Sequence, residues 1–224
     1  MQQATRNYGY LMVLTMLTCA SPLTARESTQ GWPDTPLSRT QALAELQTLN
    51  AQLLSHPSAT LTLEQWCSAH HLSPQAKVVA HRVHGEDKPL PDGARTLLGI
   101  SQDEAVRYRR VALSCGDIVL SDADNWYVPS RLTADMNHQL DTSDVPFGKV
   151  VQPLHFRRQT LSAELLWSPL PEGWDSGTQL PPAGDKPLAM PEHVLQHRAV
   201  LYTGSNQPFS LVVESYTSQV LVRP

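Results

Sequence analysis

The stretch VRYRRVALSCGDIVLSDADNWYVP, residues 106–129, decides the fold of this 224-residue chain. Apolar and polar residues alternate on both sides of the dipeptide Cys115–Gly116. Such alternation around a tight glycine-containing turn is typical of two antiparallel strands joined in a hairpin. We therefore predict a hairpin here, with one face packed on a core.

A second hairpin is predicted near the C-terminal end, in VLQHRAVLYTGSNQPFSLVVESYTSQVL, residues 194–221. Its turn falls at TGSNQ, and both arms alternate. Single strands are predicted in AKVVAHRVH, residues 76–84, and HFRRQTLSAELLW, residues 155–167, because both are rich in β-branched or alternating residues. The stretch GEDKPLPDGARTLLG, residues 85–99, is predicted as a loop.

Helical spacing of apolar residues predicts three helices. A capping box formed by Ser38 and Gln41 predicts the start of the first, and another formed by Thr62 and Gln65 predicts the start of the second. A third helix is predicted over residues 130–141. Helices followed by a largely antiparallel sheet indicate an α+β domain.

The composition argues against nucleic acid as a partner and against an integral membrane domain. Seventeen Lys and Arg against 21 Asp and Glu leave a formal charge of -4, and no basic run occurs. The chain therefore lacks the positive field that nucleic acid binding requires, and no nucleic acid partner is expected. The body of the chain has no apolar run of about 18 residues, so no integral membrane domain is expected after removal of the signal.

The N-terminal segment predicts export. Residues 1–25 carry one basic residue, Arg6, then an apolar run and small residues, which is the order of a secretory signal peptide. The alternative is an amphipathic first helix. Residues 26–37 are predicted as a flexible leader, and residues 38–224 as the domain, with a proline-rich loop insertion at residues 168–191. We expect a secreted or periplasmic protein.

Two cysteines remain after removal of the signal, Cys67 and Cys115. They could form a disulfide in an oxidising compartment, which would contribute about 4 kcal/mol in the chain-entropy model. Two separate buried thiols are the alternative. No CxxC or Cys/His pattern accompanies them, and we predict no metal site.

Two charged residues face inward in the predicted hairpins. Arg109 shares a strand face with Val111, and Glu214 shares one with Val212. A buried guanidinium requires a carboxylate, from a side chain or a ligand, because it cannot lose its charge. Either Arg109 and Glu214 pair with each other, or they line a ligand pocket.

Four segments in order resemble the chorismate lyase family: TLTLEQW (60–66), RRVALSCGDIVL (109–120), VPFG (145–148) and HRAVLYTGSNQPFSLVVESY (197–216). The resemblance implies an antiparallel sheet of about six strands with helices packed on one side. It also implies a lyase that converts chorismate into 4-hydroxybenzoate and pyruvate in an enclosed pocket, without a metal or organic cofactor. We expect a monomer.

The resemblance also assigns residues. Arg109 matches the arginine that binds the ring carboxylate in that family, and Glu214 matches the acidic residue beside the hydroxyl end of the product. Both are candidate catalytic residues. Arg107 has the same facing as Arg109. The candidate ligand-binding residues are Leu61, Arg107, Phe147 and Gly148.

Three functional hypotheses remain open at this point. The first is a chorismate pyruvate-lyase. The second is an exported, non-catalytic binding protein for a small aromatic carboxylate. The third is an exported structural or interaction protein in which Arg109 and Glu214 only pair with each other.

Overall fold

A computed structural model describes residues 31–222 of the chain. Six strands form one antiparallel sheet in the order β1-β2-β3-β6-β5-β4. The predicted α+β architecture is thus confirmed. The strands are β1 (Val78–Arg82), β2 (Arg107–Cys115), β3 (Ile118–Tyr127), β4 (Arg157–Leu165), β5 (His193–Tyr202) and β6 (Pro208–Thr217).

Both predicted hairpins are present. In the first, β2 and β3 pair from Arg107 opposite Tyr127 to Cys115 opposite Ile118. Gly116 turns the chain with a positive φ of 58°, and a Cβ at this position would lie 2.8 Å from the Ser73 hydroxyl oxygen. Glycine is therefore required both by backbone conformation and by close approach.

Four helices pack with the face of the sheet that carries Val111 and Val212. The first two begin earlier than predicted, because Thr35 and Ser58 are the N-caps rather than Ser38 and Thr62. In each case the cap hydroxyl accepts a hydrogen bond from the backbone N–H three residues on. These helices are α1 (Pro36–Ser55), α2 (Ala59–Ala69), α4 (Ala134–Thr142) and α5 (Phe147–Val150).

The opposite face of the sheet is covered by a short helix within the segment predicted as a loop. This helix, α3 (Ala94–Leu98), packs Leu98 in a cluster with Trp126 and Leu211. The predicted one-sided packing therefore describes the other four helices but not α3. Turns of 3-10 helix complete the structure at Pro129–Arg131, Gln152–Leu154, Trp174–Ser176 and Ser218–Leu221.

The prediction of a flexible leader over residues 26–37 is wrong for residues 31–37. Trp32 is 4% exposed and its indole Nε1 donates a hydrogen bond to the Leu221 carbonyl oxygen at 2.7 Å. The proline-rich loop runs alongside, with the Leu188 N–H donating to the Trp32 carbonyl oxygen at 2.8 Å. The two prolines predicted a flexible segment, but burying the large aromatic side chain of Trp32 stabilises this segment in one position. Residues 1–30, including the predicted signal peptide, lie outside the described residues.

A disulfide connects the helical layer to the sheet. Cys67 in α2 and Cys115 at the end of β2 are joined at an S–S distance of 2.01 Å, and both are fully buried. Of the two alternatives that the sequence left open, the structure contains the bridge. Within residues 31–222, no helix combines the length and the apolar character needed to cross a membrane.

Candidate ligand-binding site

A cavity lies between the sheet and the helices on its α2 face. Its volume is ≈ 530 Å³ of space free of protein atoms, with its open mouth included. The lining residues are Pro57, Ser58, Ala59, Thr60, Arg109, Val111, Leu113, Ala123, Asn125, Phe147, Gly148, Phe156, Arg158, Leu201, Val212 and Glu214.

Arg109 brings a positive charge into this cavity. It is 4% exposed, and its Nη2 donates a hydrogen bond to the Val145 carbonyl oxygen at 3.3 Å. Its Nε has no hydrogen-bond partner among the described residues, and none of their carboxylates lies within 4.0 Å of the guanidinium. Burial, and then the nearby Arg82, lower the pKa of Arg109. The site thus contains a buried cation with no carboxylate paired to it.

Glu214 lies in the same cavity but pairs with a different arginine. Its Oε2 is 2.6 Å from Nη2 of Arg158, and the Tyr216 hydroxyl donates to the same oxygen at 3.2 Å. Burial is the largest influence on the pKa of Arg158 and acts to lower it, but the charges of Glu214 and Tyr216 and the contact with Glu214 together outweigh burial and raise the pKa. The alternative in which Arg109 and Glu214 pair with each other is therefore wrong.

The two charged ends of the cavity are separated by an apolar wall. Arg109 lies opposite Asn125 and Val212 in the sheet register, while Glu214 lies opposite Ala123. Two strand spacings and two residues along the strand put the Cα atoms of Arg109 and Glu214 roughly 12 Å apart. The side chains between them include Val111, Ala123 and Val212. This arrangement suits a flat apolar ligand that is polar at its ends.

The other predicted ligand-binding residues divide into two groups. Phe147 and Gly148 line the cavity, and a Cβ on Gly148 would lie 3.3 Å from the Ser58 hydroxyl oxygen. Leu61 does not line it: this residue is 42% exposed and faces an adjacent cavity, because the rotation of α2 turns it away. Arg107 is also outside, at the end of the sheet, where its Nη1 lies 2.8 Å from Asp141.

Four polar residues of the cavity were missed by the sequence analysis: Ser58, Thr60, Asn125 and Arg158. Arg158 was not selected because its strand lacks a clear apolar face to show which arginine points inward. Asn125 was not selected because it carries no charge, and only inward-facing charged residues were sought in this strand. The Ser210 hydroxyl donates to Asn125 Oδ1 at 2.6 Å, so Nδ2 is the donor group of this amide. Asn125 lies opposite Arg109 in the sheet register.

His197 extends the polar cluster beneath Glu214. Its Nε2 lies 2.8 Å from Asn50 Oδ1, and the Asn50 amide nitrogen itself donates to Gln47, so Nε2 carries the proton. The ring is fully buried and meets Tyr216 edge-on at 5.4 Å. Burial, and then the Arg158 charge, lower the pKa of His197 to about 4. This histidine is therefore neutral in the folded protein at ordinary pH.

The buried His197 predicts a dependence of stability on pH. Between its ordinary pKa of 6.5 and its folded value of about 4, the unfolded chain takes up a proton that the folded protein does not. This contribution to the free energy of unfolding is complete above pH 6.5 and decreases as the pH falls toward 4. We expect the free energy of unfolding, measured in urea, to fall between pH 7.5 and pH 4.5 in both proteins. The fall should be about 2–3 kcal/mol smaller in His197→Gln than in the wild type.

The exposed His84 supplies a matched control for this measurement. His84→Gln should keep the wild-type pH dependence. Parallel curves for the wild type and His197→Gln would contradict the assignment of the lowered pKa.

A group of acidic and imidazole side chains lies elsewhere, on the sheet face opposite the cavity. Ligand atoms of Asp122, Glu192 and His193 lie within 4.8 Å of one another. His193 Nε2 is 2.9 Å from Asp122, and an Arg110 nitrogen is 4.0 Å from the same carboxylate. These contacts form a local charge cluster, and the expected absence of a metal stays a prediction.

The fold and the cavity define an α+β domain with a cavity that is lined by two buried arginines and one buried glutamate. The chain is 54% identical over 215 residues to the uncharacterized protein y4mC of Sinorhizobium fredii (strain NBRC 101917 / NGR234), covering 95% of this chain and 91% of that protein. The chain therefore belongs to the same family as y4mC. No family model matches it.

Solved structures of similar architecture include transcriptional regulators. PhnF of Mycobacterium smegmatis matches with a TM-score of 0.49 and 11% identity, over 75% of this chain and 67% of that one. The PhnF effector domain matches with a TM-score of 0.47 and 11% identity, over 72% and 89%. A GntR-family regulator from Enterococcus faecalis V583 matches with a TM-score of 0.39 and 15% identity, over 62% and 93%.

Proposed function

We propose that this protein binds a small aromatic monocarboxylate in the cavity without transforming it. The observation that carries this proposal is the buried guanidinium of Arg109, which has no carboxylate partner among the described residues. Arg158 is balanced by Glu214. The cavity therefore has one cation without a paired carboxylate, with which a ligand carrying one carboxylate would pair.

The walls support an aromatic ligand. Phe147, Phe156, Leu201 and Val212 supply apolar surface between the two polar ends. A planar ring can fill this space while its carboxylate reaches Arg109 and the Asn125 amide. Small-molecule sites of this kind combine an apolar lining with a few polar groups that fix the orientation of the ligand.

Export to an oxidising compartment is part of the proposal. The order of residues in the first 25 positions supports a secretory signal peptide. The disulfide between Cys67 and Cys115 supports it independently, because such bonds persist mainly in secreted and periplasmic proteins. Secretion of a fusion to alkaline phosphatase, active only after export, would test this part.

Substitution of Arg109 should separate binding from stability. Arg109→Met removes the charged fork that would hold the carboxylate, so we expect the Kd for 4-hydroxybenzoate to rise about 100-fold, or about 2.7 kcal/mol. The empty protein should unfold at an equal or higher urea concentration, because the substitution removes a buried charge without a paired carboxylate. Isothermal titration calorimetry and urea unfolding measure the two effects.

Arg110 is the matched control, since it is adjacent in β2 but lies outside the cavity lining. Arg110→Met should bind 4-hydroxybenzoate with the wild-type Kd. A folded wild-type protein that binds neither benzoate nor 4-hydroxybenzoate at millimolar concentration would refute the proposed binding function.

A second candidate function is the chorismate pyruvate-lyase reaction. It is favoured by the occurrence of Arg109, Glu214, Phe147 and Gly148 in one cavity, since all four were matched to the lyase family. The ion pair between Glu214 and Arg158 disfavours it, because this carboxylate already has a cation partner. Incubation of folded protein with chorismate distinguishes the two: 4-hydroxybenzoate and pyruvate in equal amounts indicate a lyase, and binding without product indicates a binding protein.

A further inference from the structure

We propose that Arg158 selects which aromatic acids this cavity accepts, by donating a hydrogen bond from Nε to an acceptor at the end of the ligand opposite its carboxylate. This inference rests on the proposed binding function and adds the chemical class of the ligand. The expected ligand is an aromatic acid with an oxygen acceptor at its far end.

The first observation is an unused donor. The Arg158 side chain is 6% exposed, and its Nε is buried without a hydrogen-bond partner among residues 31–222. A buried donor left without an acceptor destabilises the protein, and a ligand that supplies the acceptor gains that energy on binding. Arg158 is one of the residues that line the cavity.

The second observation is that the guanidinium is held in place by its neighbours. Nη2 of Arg158 lies 2.6 Å from Glu214 Oε2, which also accepts the hydrogen bond from the Tyr216 hydroxyl. Arg158 stands opposite Leu201 in the sheet register, and Leu201 also lines the cavity. The contact of Nη2 with Glu214 is an ion pair without hydrogen-bond geometry, so the charge of Glu214 holds the guanidinium in place while Nε remains a donor on the same rigid plane.

The third observation is the distribution of charge along the cavity. Arg109 is the cation without a paired carboxylate, whereas the charge of Arg158 is already compensated by Glu214. A second carboxylate at the Arg158 end would lie against Glu214 and be repelled. A neutral acceptor, such as an ether, hydroxyl or carbonyl oxygen, satisfies Nε without that repulsion.

A pair of ligands of equal shape tests Arg158 alone. The methoxy oxygen of 4-methoxybenzoate accepts a hydrogen bond but has no proton to donate to Glu214, and 4-ethylbenzoate has the same outline with no polar atom at that end. Calorimetric titration of the wild type should give 4-methoxybenzoate a Kd about tenfold lower than 4-ethylbenzoate, the size expected for one satisfied buried donor.

The variant for this test is Arg158→Met combined with Glu214→Gln, because the double substitution removes both charges of this pair and leaves neither partner buried alone. In it the Kd ratio of the two ligands should fall to about one. Arg157→Met is the matched control: Arg157 is exposed, stacks on Tyr202 and lies on the other face of β4, so the tenfold preference should persist.

The outcomes separate the two proposals. If benzoate binds and requires Arg109 but the wild type does not prefer 4-methoxybenzoate, the role of Arg158 is wrong and the binding function stands. A preference that persists in the double variant also overturns the role of Arg158. If none of the three acids binds to folded wild-type protein, the proposed function and this inference both fail.

Discussion

Replacing Glu214 by glutamine is expected to lower the free energy of unfolding by about 3–5 kcal/mol, because the buried Arg158 then has no carboxylate beside it. The Arg158 side chain is 6% exposed, so water cannot replace the lost partner. Arg109 lines the same cavity, and the variant would hold two uncompensated guanidinium groups there. Urea unfolding at pH 7 measures the effect.

The double variant Glu214→Gln, Arg158→Met should recover most of the lost stability. Removing both charges of a buried pair is often close to neutral, whereas removing one leaves an unpaired ion. Glu164→Gln is the matched control on an exposed position of β4 and should change stability by less than about 0.5 kcal/mol. A Glu214→Gln protein as stable as the wild type would show that the ion pair does not hold Arg158 in the fold.

Removing the disulfide is expected to cost about 4 kcal/mol of stability, because the bridge closes a loop of 48 residues and restricts the unfolded chain. The double variant Cys67→Ala, Cys115→Ala should unfold at a lower urea concentration by this free energy. Loss of two buried sulfur atoms adds a smaller packing term. The bridge joins α2 to β2, so its loss should also weaken the cavity, which both elements line.

A reducing agent gives the control for this measurement. Dithiothreitol should shift the unfolding curve of the wild type toward that of the alanine variant and leave the variant itself unchanged. If the reductant does not alter wild-type unfolding, and the alanine variant is as stable as the wild type, the predicted contribution of the bridge is wrong.

The strand pattern predicted the sheet well. Alternation in β2 placed Arg109 beside Val111, and alternation in β6 placed Glu214 beside Val212; both pairs line the cavity. Alternation is a local property of an extended chain, so it can be read without tertiary contacts. Helix starts were predicted less well: Ser38 and Thr62 fit the capping pattern, but Thr35 and Ser58 are the caps.

The errors occurred where distant residues decide the outcome. Trp32 is buried because it contacts the Leu221 carbonyl oxygen and the proline-rich loop, and neither is near it in sequence. Leu61 turns away from the cavity because α2 begins at Ala59, which sets the rotation of the helix. Local composition contains no information about such partners.

By itself the sequence determined the α+β class, the two hairpins and the inward direction of Arg109 and Glu214, because strand alternation and turn residues act over a few positions. Only the tertiary structure decided the pairing of charges. Arg158 reaches Glu214 across β5, which leaves Arg109 without a carboxylate partner among the described residues. Strand order and side-chain reach determine which opposite charges meet, and both depend on the assembled sheet.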